Sequence, residues 1–335
     1  MKRITSFLVA FFLATTALWA AFTPASFTVS SEGKQVYFSR GNLQYTKSTK
    51  TWSFAENQYD MLGEANVTDD ALADKIDLFG WSGSTGSAKW GISTSASYSD
   101  YSGDFVDWGT NTIGTAAPNT YRTLTKDEWY YLLNTRADAS DLVGVARIKL
   151  NDDGSQYVNG LILLPDNWTC PEGVAFKSGF ASTNSDQAYA DYQTFTLADW
   201  QELESAGAVF LSASGRRNGS EMRYVQGSGY YWSATAYDSY YAYRLYFGSD
   251  GARADSNTFR FYGQVVRLVC EAGSLPTALQ NAEMVEIYAA AGRIYGADGM
   301  QIFTLTGQNV TEMNGQLNGV YIVKVGEKAQ NVVVK

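Results

Sequence analysis

Two short segments of this 335-residue chain carry helix-start signals, and they limit the helical part of its fold to a few turns. In the first, Thr125 and Glu128 have the spacing of a capping box, in which each side chain accepts a backbone N–H at the start of a helix. Trp129, Leu132 and Leu133 follow at helical spacing, which predicts one buried face.

The second predicted helix begins at Thr196-Leu-Ala-Asp199. This helix buries Trp200 and Leu203. It ends at Gly207, because glycine readily adopts the left-handed conformation that closes a helix.

Short β-type runs separated by turn residues make up much of the remaining chain. Runs 35–39 and 43–45 flank the turn signal Arg40-Gly-Asn42, and the apolar runs 160–164 and 208–213 are typical of strands buried on both faces. The loop-rich stretch 60–109 can be ordered only if its aromatic residues anchor it. Few helices and many short strands predict an α+β fold with antiparallel sheets.

Both ends of the chain have a distinct composition. Lys2 and Arg3 precede an apolar run, 7–19, and small residues follow, so residues 1–20 are interpreted as a cleaved signal peptide. A membrane helix is the alternative, but the run is shorter than the ~20 residues that a bilayer span needs. At the other end we predict a linker, 274–283, and a small all-β module, 284–335.

Charge and composition exclude several functions. A net charge of −9 makes nucleic acid an improbable partner, because phosphate binding needs a basic surface. The sequence contains no histidine, which excludes Ser-His-Asp and Cys-His nucleophiles and histidine-based zinc sites. No carboxylate spacing singles out a glycosidase pair, so we do not predict an enzyme. Calcium stays a minor alternative at acidic clusters, namely Asp69, Asp70, Asp74, Asp77, Asp152, Asp153 and Asp250.

Cys170 and Cys270 are the only cysteines. In an exported protein they could form one disulfide that closes a long loop. Two separately buried thiols are the alternative, and the sequence does not decide between them.

A tyrosine-rich segment is the strongest candidate for a binding site. Nine of the 23 tyrosines lie between Tyr224 and Tyr262, interleaved with serine, glycine, asparagine and arginine. Antibody binding loops have a similar composition, because tyrosine gives a large contact area at a low entropic cost. The opposite interpretation is that these rings form cross-strand pairs inside a sheet. The predicted ligand-binding residues are Tyr231, Trp232, Tyr237, Tyr241, Tyr243, Arg244, Tyr246, Arg253 and Asn257.

Alternation along this segment predicts which side chains share a face. In the run 240–247, Tyr241, Tyr243, Leu245 and Phe247 should lie on one face of a strand. Ala242, Arg244 and Tyr246 should lie on the other face.

Three motifs carry a family resemblance. Tyr121-Arg-Thr-Leu-Thr-Lys-Asp-Glu-Trp-Tyr-Tyr131 resembles the helix-entry motif of the formylglycine-generating-enzyme family. Gly229-Tyr-Tyr-Trp-Ser-Ala234 and Val266-Arg-Leu-Val-Cys270 are similar to the closing motifs of paralogous surface proteins of Bacteroidetes and Fibrobacter. The resemblance implies a C-type-lectin-like domain over residues 21–273. The cysteine pair that binds copper in the formylglycine-generating enzymes has no counterpart here, so that activity is not expected.

The C-terminal module resembles the sorting domain of the type IX secretion system. Gly319-Val-Tyr-Ile-Val-Lys-Val325 and Val332-Val-Val-Lys335 carry this resemblance. It implies transport across the outer membrane by the type IX machinery, with the protein then secreted or attached to the cell surface.

We therefore expect a non-catalytic surface protein, of the kind used in adhesion, that binds a protein or glycan through its tyrosine-rich face. No cofactor is expected. One alternative is an extracellular enzyme that acts on glycan or peptide through carboxylates. Another is a structural subunit of a surface layer or filament.

Overall fold

A computed structural model describes residues 25–272, 288–290, 293–295, 300–304, 307–325 and 328–334. The predicted signal peptide, 1–20, and the predicted linker, 274–283, lie outside these ranges. Within them the fold combines α-helices with mostly antiparallel sheets, as an α+β fold requires. Among the residues described, no helix combines the length and the apolar character that a membrane crossing needs.

The first part of the fold consists of short strands and long connections. Its strands are β1 (Phe27–Thr28), β2 (Gln35–Phe38), β3 (Leu43–Thr46), β4 (Thr51–Phe54), β5 (Val67–Thr68), β6 (Ala71–Leu72), β7 (Lys75–Ile76), β8 (Leu78–Phe79) and β9 (Arg122–Thr123). The predicted turn after residue 39 separates β2 from β3. Strand β2 pairs with β1, whereas β3 pairs with β4 and β7. Trp81, Tyr101 and Trp108 are fully buried and anchor the irregular segment between β8 and β9.

Both predicted helices are present in the middle of the fold. The elements here are α1 (Lys126–Asn134), β10 (Val143–Lys149), β11 (Tyr157–Leu163), α2 (Asp186–Tyr192), β12 (Thr194–Phe195), α3 (Leu197–Ser205) and β13 (Val209–Ser212). The predicted capping box forms between Thr125 and Glu128, and the structure shows a second one between Thr196 and Asp199. Gly207 follows α3 with a φ of 95°, which confirms its predicted role.

The sequence analysis missed α2. This helix has seven residues and a single serine cap, Ser185, whose side chain accepts the Ala188 N–H. It lies against a four-stranded sheet of order β12-β10-β11-β13, in which β10 and β11 are antiparallel and β12 runs parallel to β10.

The tyrosine-rich segment forms most of a five-stranded sheet. The strands in this part of the chain, only some of which belong to that sheet, are β14 (Arg216–Asn218), β15 (Glu221–Arg223), β16 (Gly229–Ala236), β17 (Tyr241–Gly248), β18 (Gly251–Phe259), β19 (Gln264–Val265) and β20 (Leu268–Glu271). The sheet order is β18-β17-β16-β19-β8. Another sheet, of order β1-β2-β20-β9, brings the start and the end of residues 25–272 together.

One face of the β16–β18 sheet packs on the core. Tyr231, Leu245 and Phe247 belong to an apolar cluster that also contains Trp129 of α1 and Val145 of β10. Burial of each large apolar side chain contributes about 1.5–3 kcal/mol. Because side chains alternate along a strand, Tyr230, Arg244 and Tyr246 lie on the opposite face of the sheet. On that same face Trp232 is buried in a second apolar cluster.

The described residues of the C-terminal part form two antiparallel sheets. Their strands are β21 (Tyr288–Ala290), β22 (Arg293–Tyr295), β23 (Gln301–Thr304), β24 (Gly319–Val325) and β25 (Lys328–Val334). Ile294, Ile302, Val323 and Val332 are buried in one apolar cluster that both sheets share.

Candidate ligand-binding cleft

An open cleft of about 710 Å³ lies on the face of the β16–β18 sheet that points away from the core. Tyr230 of β16, Arg244 and Tyr246 of β17 and Asn257 of β18 line it. Its sides come from β14, from the loop 224–228 and from residues 184–185 before α2. Four separate parts of the chain therefore build this site.

Two arginines and three tyrosines form a continuous layer in the cleft. The Arg244 Cζ lies 4.6 Å from the centroid of the Tyr230 ring, and the Arg216 Cζ lies 5.9 Å from the same centroid. Arg216 also stacks on Tyr262, with its Cζ 4.0 Å from the ring centroid. The rings of Tyr230 and Tyr246 are 5.3 Å apart. Cation–π attraction holds the guanidinium groups in these positions.

Neither arginine forms an ion pair in the part of the chain that the structure describes. The Arg216 Nε is buried without a hydrogen-bond acceptor. Arg244 makes only two long hydrogen bonds, 3.3 Å to Gln264 Oε1 and 3.4 Å to Ser256 Oγ. Burial lowers the pKa of Arg244 to about 10, which leaves it protonated at neutral pH. The cleft thus holds positive charge that no described carboxylate neutralises.

A strained loop forms one wall of the cleft. Tyr224 and Gln226 each have a φ of 63°, a left-handed conformation that costs roughly 1–2 kcal/mol for a residue other than glycine. The Gln226 side chain holds the loop, because its Oε1 accepts the Asn159 N–H at 2.9 Å and its Nε2 donates to the Tyr157 carbonyl at 2.9 Å. These bonds fix Tyr224 at the edge of the cleft with 54% of its surface exposed.

The opposite wall is the start of α2. Ser249 Oγ accepts the backbone N–H of Ser185 at 3.0 Å and donates to the Thr183 carbonyl at 2.9 Å, which ties this segment to the end of β17. Asn184 reaches Tyr246, with 3.4 Å between the amide nitrogen and the phenol oxygen. Amide and hydroxyl groups therefore face the arginine layer.

An aromatic ridge continues the cleft along the surface; it consists of Tyr98, Tyr240, Tyr241, Phe259, Phe261 and Tyr262. Phe259 is at its centre, with its ring centroid 4.6 Å from Tyr241, 5.1 Å from Phe261 and 5.4 Å from Tyr98. Tyr98 is 41% exposed and Tyr240 is 52% exposed. Among the rings of the cleft and the ridge, Tyr98, Tyr224 and Tyr240 are exposed, whereas Tyr230 and Phe261 are buried.

The structure brings four of the nine predicted binding residues into the cleft: Tyr241, Arg244, Tyr246 and Asn257. The prediction was wrong for Tyr231 and Trp232, whose side chains are fully buried. The Tyr231 hydroxyl donates to the Ser212 carbonyl at 3.0 Å, and the Trp232 indole donates to the Phe79 carbonyl at 2.7 Å. Both residues hold the sheet on the core.

The other three predicted residues do not line the cleft. Tyr237 and Arg253 are exposed, and Tyr243 is half-buried between the Tyr237 ring, 5.3 Å away, and the Lys126 ammonium, 5.4 Å away. The predicted alternation is correct for Arg244 and Leu245, but Tyr241 also reaches the cleft. β-Bulges in the neighbouring strands interrupt the regular pairing on both sides of β17.

Sequence reasoning missed Arg216, Tyr224, Tyr230 and Tyr262 as members of one site. The sequence around Arg216 does contain one indication of an unpaired charge: no aspartate or glutamate lies within four positions of it, although the chain as a whole is acidic. Nothing in the sequence indicates that β14 would bring it next to Tyr262.

The two cysteines are separate free thiols in this structure, so the first alternative, one disulfide between them, does not hold here. Cys170 is exposed, so the alternative of two buried thiols is also wrong. Cys270 is buried in β20, and burial raises the pKa of its thiol to about 11.

The buried carboxylates have structural partners. Asp77 accepts the Leu62 N–H at 2.8 Å and the Asn66 amide at 2.7 Å, although burial raises the pKa of Asp77 above its ordinary value. Asp107 accepts the backbone N–H groups of Gly109 and Thr123. Within the described ranges, no three acidic or cysteine side chains come together in a group that could hold a metal ion.

Comparisons of this chain with protein-family models, with curated proteins and with solved structures find no match. The residues of the cleft are therefore the basis on which a function is proposed.

Proposed function

We propose that this chain is an exported, non-catalytic surface protein that binds its ligand in the cleft between α2, the loop 224–228 and the β16–β18 sheet. Export rests on the signal-like segment 1–20, and delivery to the surface rests on the resemblance of the C-terminal module to type IX sorting domains. A lectin-like fold for residues 21–273 is part of the same proposal.

One observation carries the proposal: an open cleft of about 710 Å³ is lined by tyrosines and by two arginines without carboxylate partners. Ligand sites are concave, mostly apolar and supplied with a few convergent polar groups, in volumes of about 300–1,000 Å³. Keeping an unpaired guanidinium partly desolvated costs free energy. A bound ligand would offset that cost.

The lining of the cleft favours binding over catalysis. Of the described residues that line it, none is an aspartate, glutamate, lysine or cysteine, and the sequence has no histidine. A carboxylate-dependent hydrolase needs two facing carboxyl groups at the reacting bond. Aspartates with raised pKa values, such as Asp77, accept backbone hydrogen bonds elsewhere in the fold.

A filament subunit is less well supported. Strand β18 lies at the edge of its sheet, where another chain could pair with it. However, β18 contains a bulge and exposes Arg253 and Asp255, and both features discourage edge-to-edge pairing.

Binding of the full chain to a glycan array and to a panel of surface proteins tests this proposal. We expect Tyr246→Ala to abolish most of the signal for any ligand found. Tyr130→Ala removes an equally large ring that is 46% exposed on α1, outside the cleft, and should leave binding unchanged. Equal loss in both variants, or no effect of Tyr246→Ala, would contradict binding in the cleft.

A further inference from the structure

We propose that the cleft recognises a carboxylated sugar, whose carboxylate is bound between Arg216 and Arg244 while its ring lies on the tyrosines. This inference rests on the proposed function, because it names the ligand class of the same cleft.

The anionic group follows from the two guanidinium groups. Arg216 and Arg244 both approach the ring of Tyr230, so their charges lie on the same side of the sheet. A planar guanidinium offers several N–H donors in a fork that matches a carboxylate. Most other buried arginine side chains use their donors inside the protein: Arg136, for example, pairs with Asp166 and donates to the Leu132 and Leu164 carbonyls. Arg216 and Arg244 lack such partners and have donors left for a ligand.

The overall charge of the protein also favours an anionic ligand at these two arginines. The chain carries a net charge of −9, so its mean field repels anions. A local pair of unneutralised cations in an acidic protein gives selectivity for an anion that can enter the cleft. Charges on the open surface are screened by salt, whereas partly buried ones are screened much less.

The sugar ring follows from the shape of the cleft and from its hydrogen-bonding groups. Asn184, Ser185, Ser228 and Asn257 place amide and hydroxyl groups around the tyrosine rings, an arrangement that suits a ligand with many hydroxyls. The volume fits a small ligand. A folded protein partner would instead cover about 800 Å² of each surface.

Calorimetric titration of the full chain with trigalacturonate and with sialyllactose tests this inference. Their neutral counterparts are the methyl esters of trigalacturonate and of sialyllactose, which keep the rings and remove the charge. We expect at least one acid to bind, with its counterpart at least about tenfold weaker, because the charge-assisted hydrogen bonds are lost. Raising the salt concentration should weaken binding of the acid only slightly, because the two arginines are partly buried, and should leave binding of the ester unchanged.

Protein variants locate the anion. Arg216→Gln and Arg244→Gln should each weaken binding of the acid about tenfold or more. Arg253→Gln is the matched control, since Arg253 is exposed on the same sheet and does not line the cleft. Tryptophan fluorescence checks that each variant is folded, and the esterified ligands test the inference even if Arg244→Gln does not fold.

Several results would overturn the inference. If esterified and free sugars bind equally, the cleft still binds a glycan and the proposed function stands, but anion recognition is wrong. If a glutamate-rich peptide binds in an arginine-dependent way and neither acidic sugar does, the ligand class is wrong. If the arginine variants and Arg253→Gln weaken binding equally, the anion is bound elsewhere. If neither acidic sugar nor the peptide binds, the inference fails, and the array result alone decides on the proposed function.

Discussion

Replacement of Glu128 by glutamine should destabilise residues 25–272 through the start of α1. Glu128 accepts two hydrogen bonds of 2.7 Å from Arg122 and one of 2.9 Å from the Thr125 N–H. Its side chain is only 11% exposed. Glutamine keeps one acceptor oxygen for the capping box but loses the charge, and Arg122 retains Glu271 as a partner. We therefore expect the free energy of unfolding to fall by about 2 kcal/mol. This is the value typical of a lost hydrogen bond to a charged group, and it is smaller than the cost of leaving a buried charge without any partner.

The pH dependence identifies the charge as the cause. Burial acts to raise the pKa of Glu128, but hydrogen bonds from Arg122 and Thr125 outweigh it, so this pKa lies below the ordinary value of 4.5. A lowered pKa contributes stability that is fully present above pH 4.5 and is lost as the pH falls through the pKa of the folded state. The deficit of Glu128→Gln should thus be complete at about pH 7 and should shrink at about pH 3.

Urea unfolding followed by tryptophan fluorescence measures this effect. Every tryptophan after Trp19 lies between Trp52 and Trp232, so the signal reports on residues 25–272 and not on the C-terminal module. Asp127→Asn is the control, because Asp127 pairs with Lys126 but its side chain is 86% exposed. This variant should lower the free energy of unfolding by less than about 0.5 kcal/mol. Equal losses in the two variants, or a Glu128→Gln deficit that does not change with pH, would refute the reasoning.

Three further predictions concern the core, the loop and the thiols. Trp232→Ala should lower the free energy of unfolding by about 3–5 kcal/mol, measured by urea titration, because the indole is fully buried; a loss below about 1 kcal/mol would contradict this. Gln226→Ala removes two hydrogen bonds from a strained loop and should speed hydrogen exchange in residues 224–228; unchanged exchange would show that the loop has another anchor. Cys170 should react with a thiol reagent in the native protein, whereas Cys270, buried and with a pKa raised to about 11, should react only after unfolding; equal reactivity would contradict the burial of β20.

Local sequence signals predicted α1 and α3. The capping boxes at Thr125 and Thr196 and the glycine at 207 each act within a few residues of the chain, so their structural effect can be deduced without knowledge of the rest. Helix α2 lacks a capping box, and its seven residues depend on packing against β10 and β11. That packing is not visible in the sequence.

The orientation of the tyrosines could not be deduced in the same way. Tyr230 and Tyr231 are adjacent in β16, yet the first lines the cleft and the second is buried in the core. Which of the two points outward depends on the register of β16 against β17, and a shift of one residue would exchange them. The sequence indicated the correct segment of the chain but not the correct members of the site.

The central claim is that the tyrosines of the cleft contact the ligand. Nuclear magnetic resonance spectra of the full chain with isotope-labelled tyrosine rings, recorded before and after addition of trigalacturonate, test this claim most directly. We expect the signals of Tyr224, Tyr246 and Tyr262 to shift and those of the buried Tyr101 and Tyr189 to stay in place. Binding without any shift of the cleft tyrosines would contradict the account.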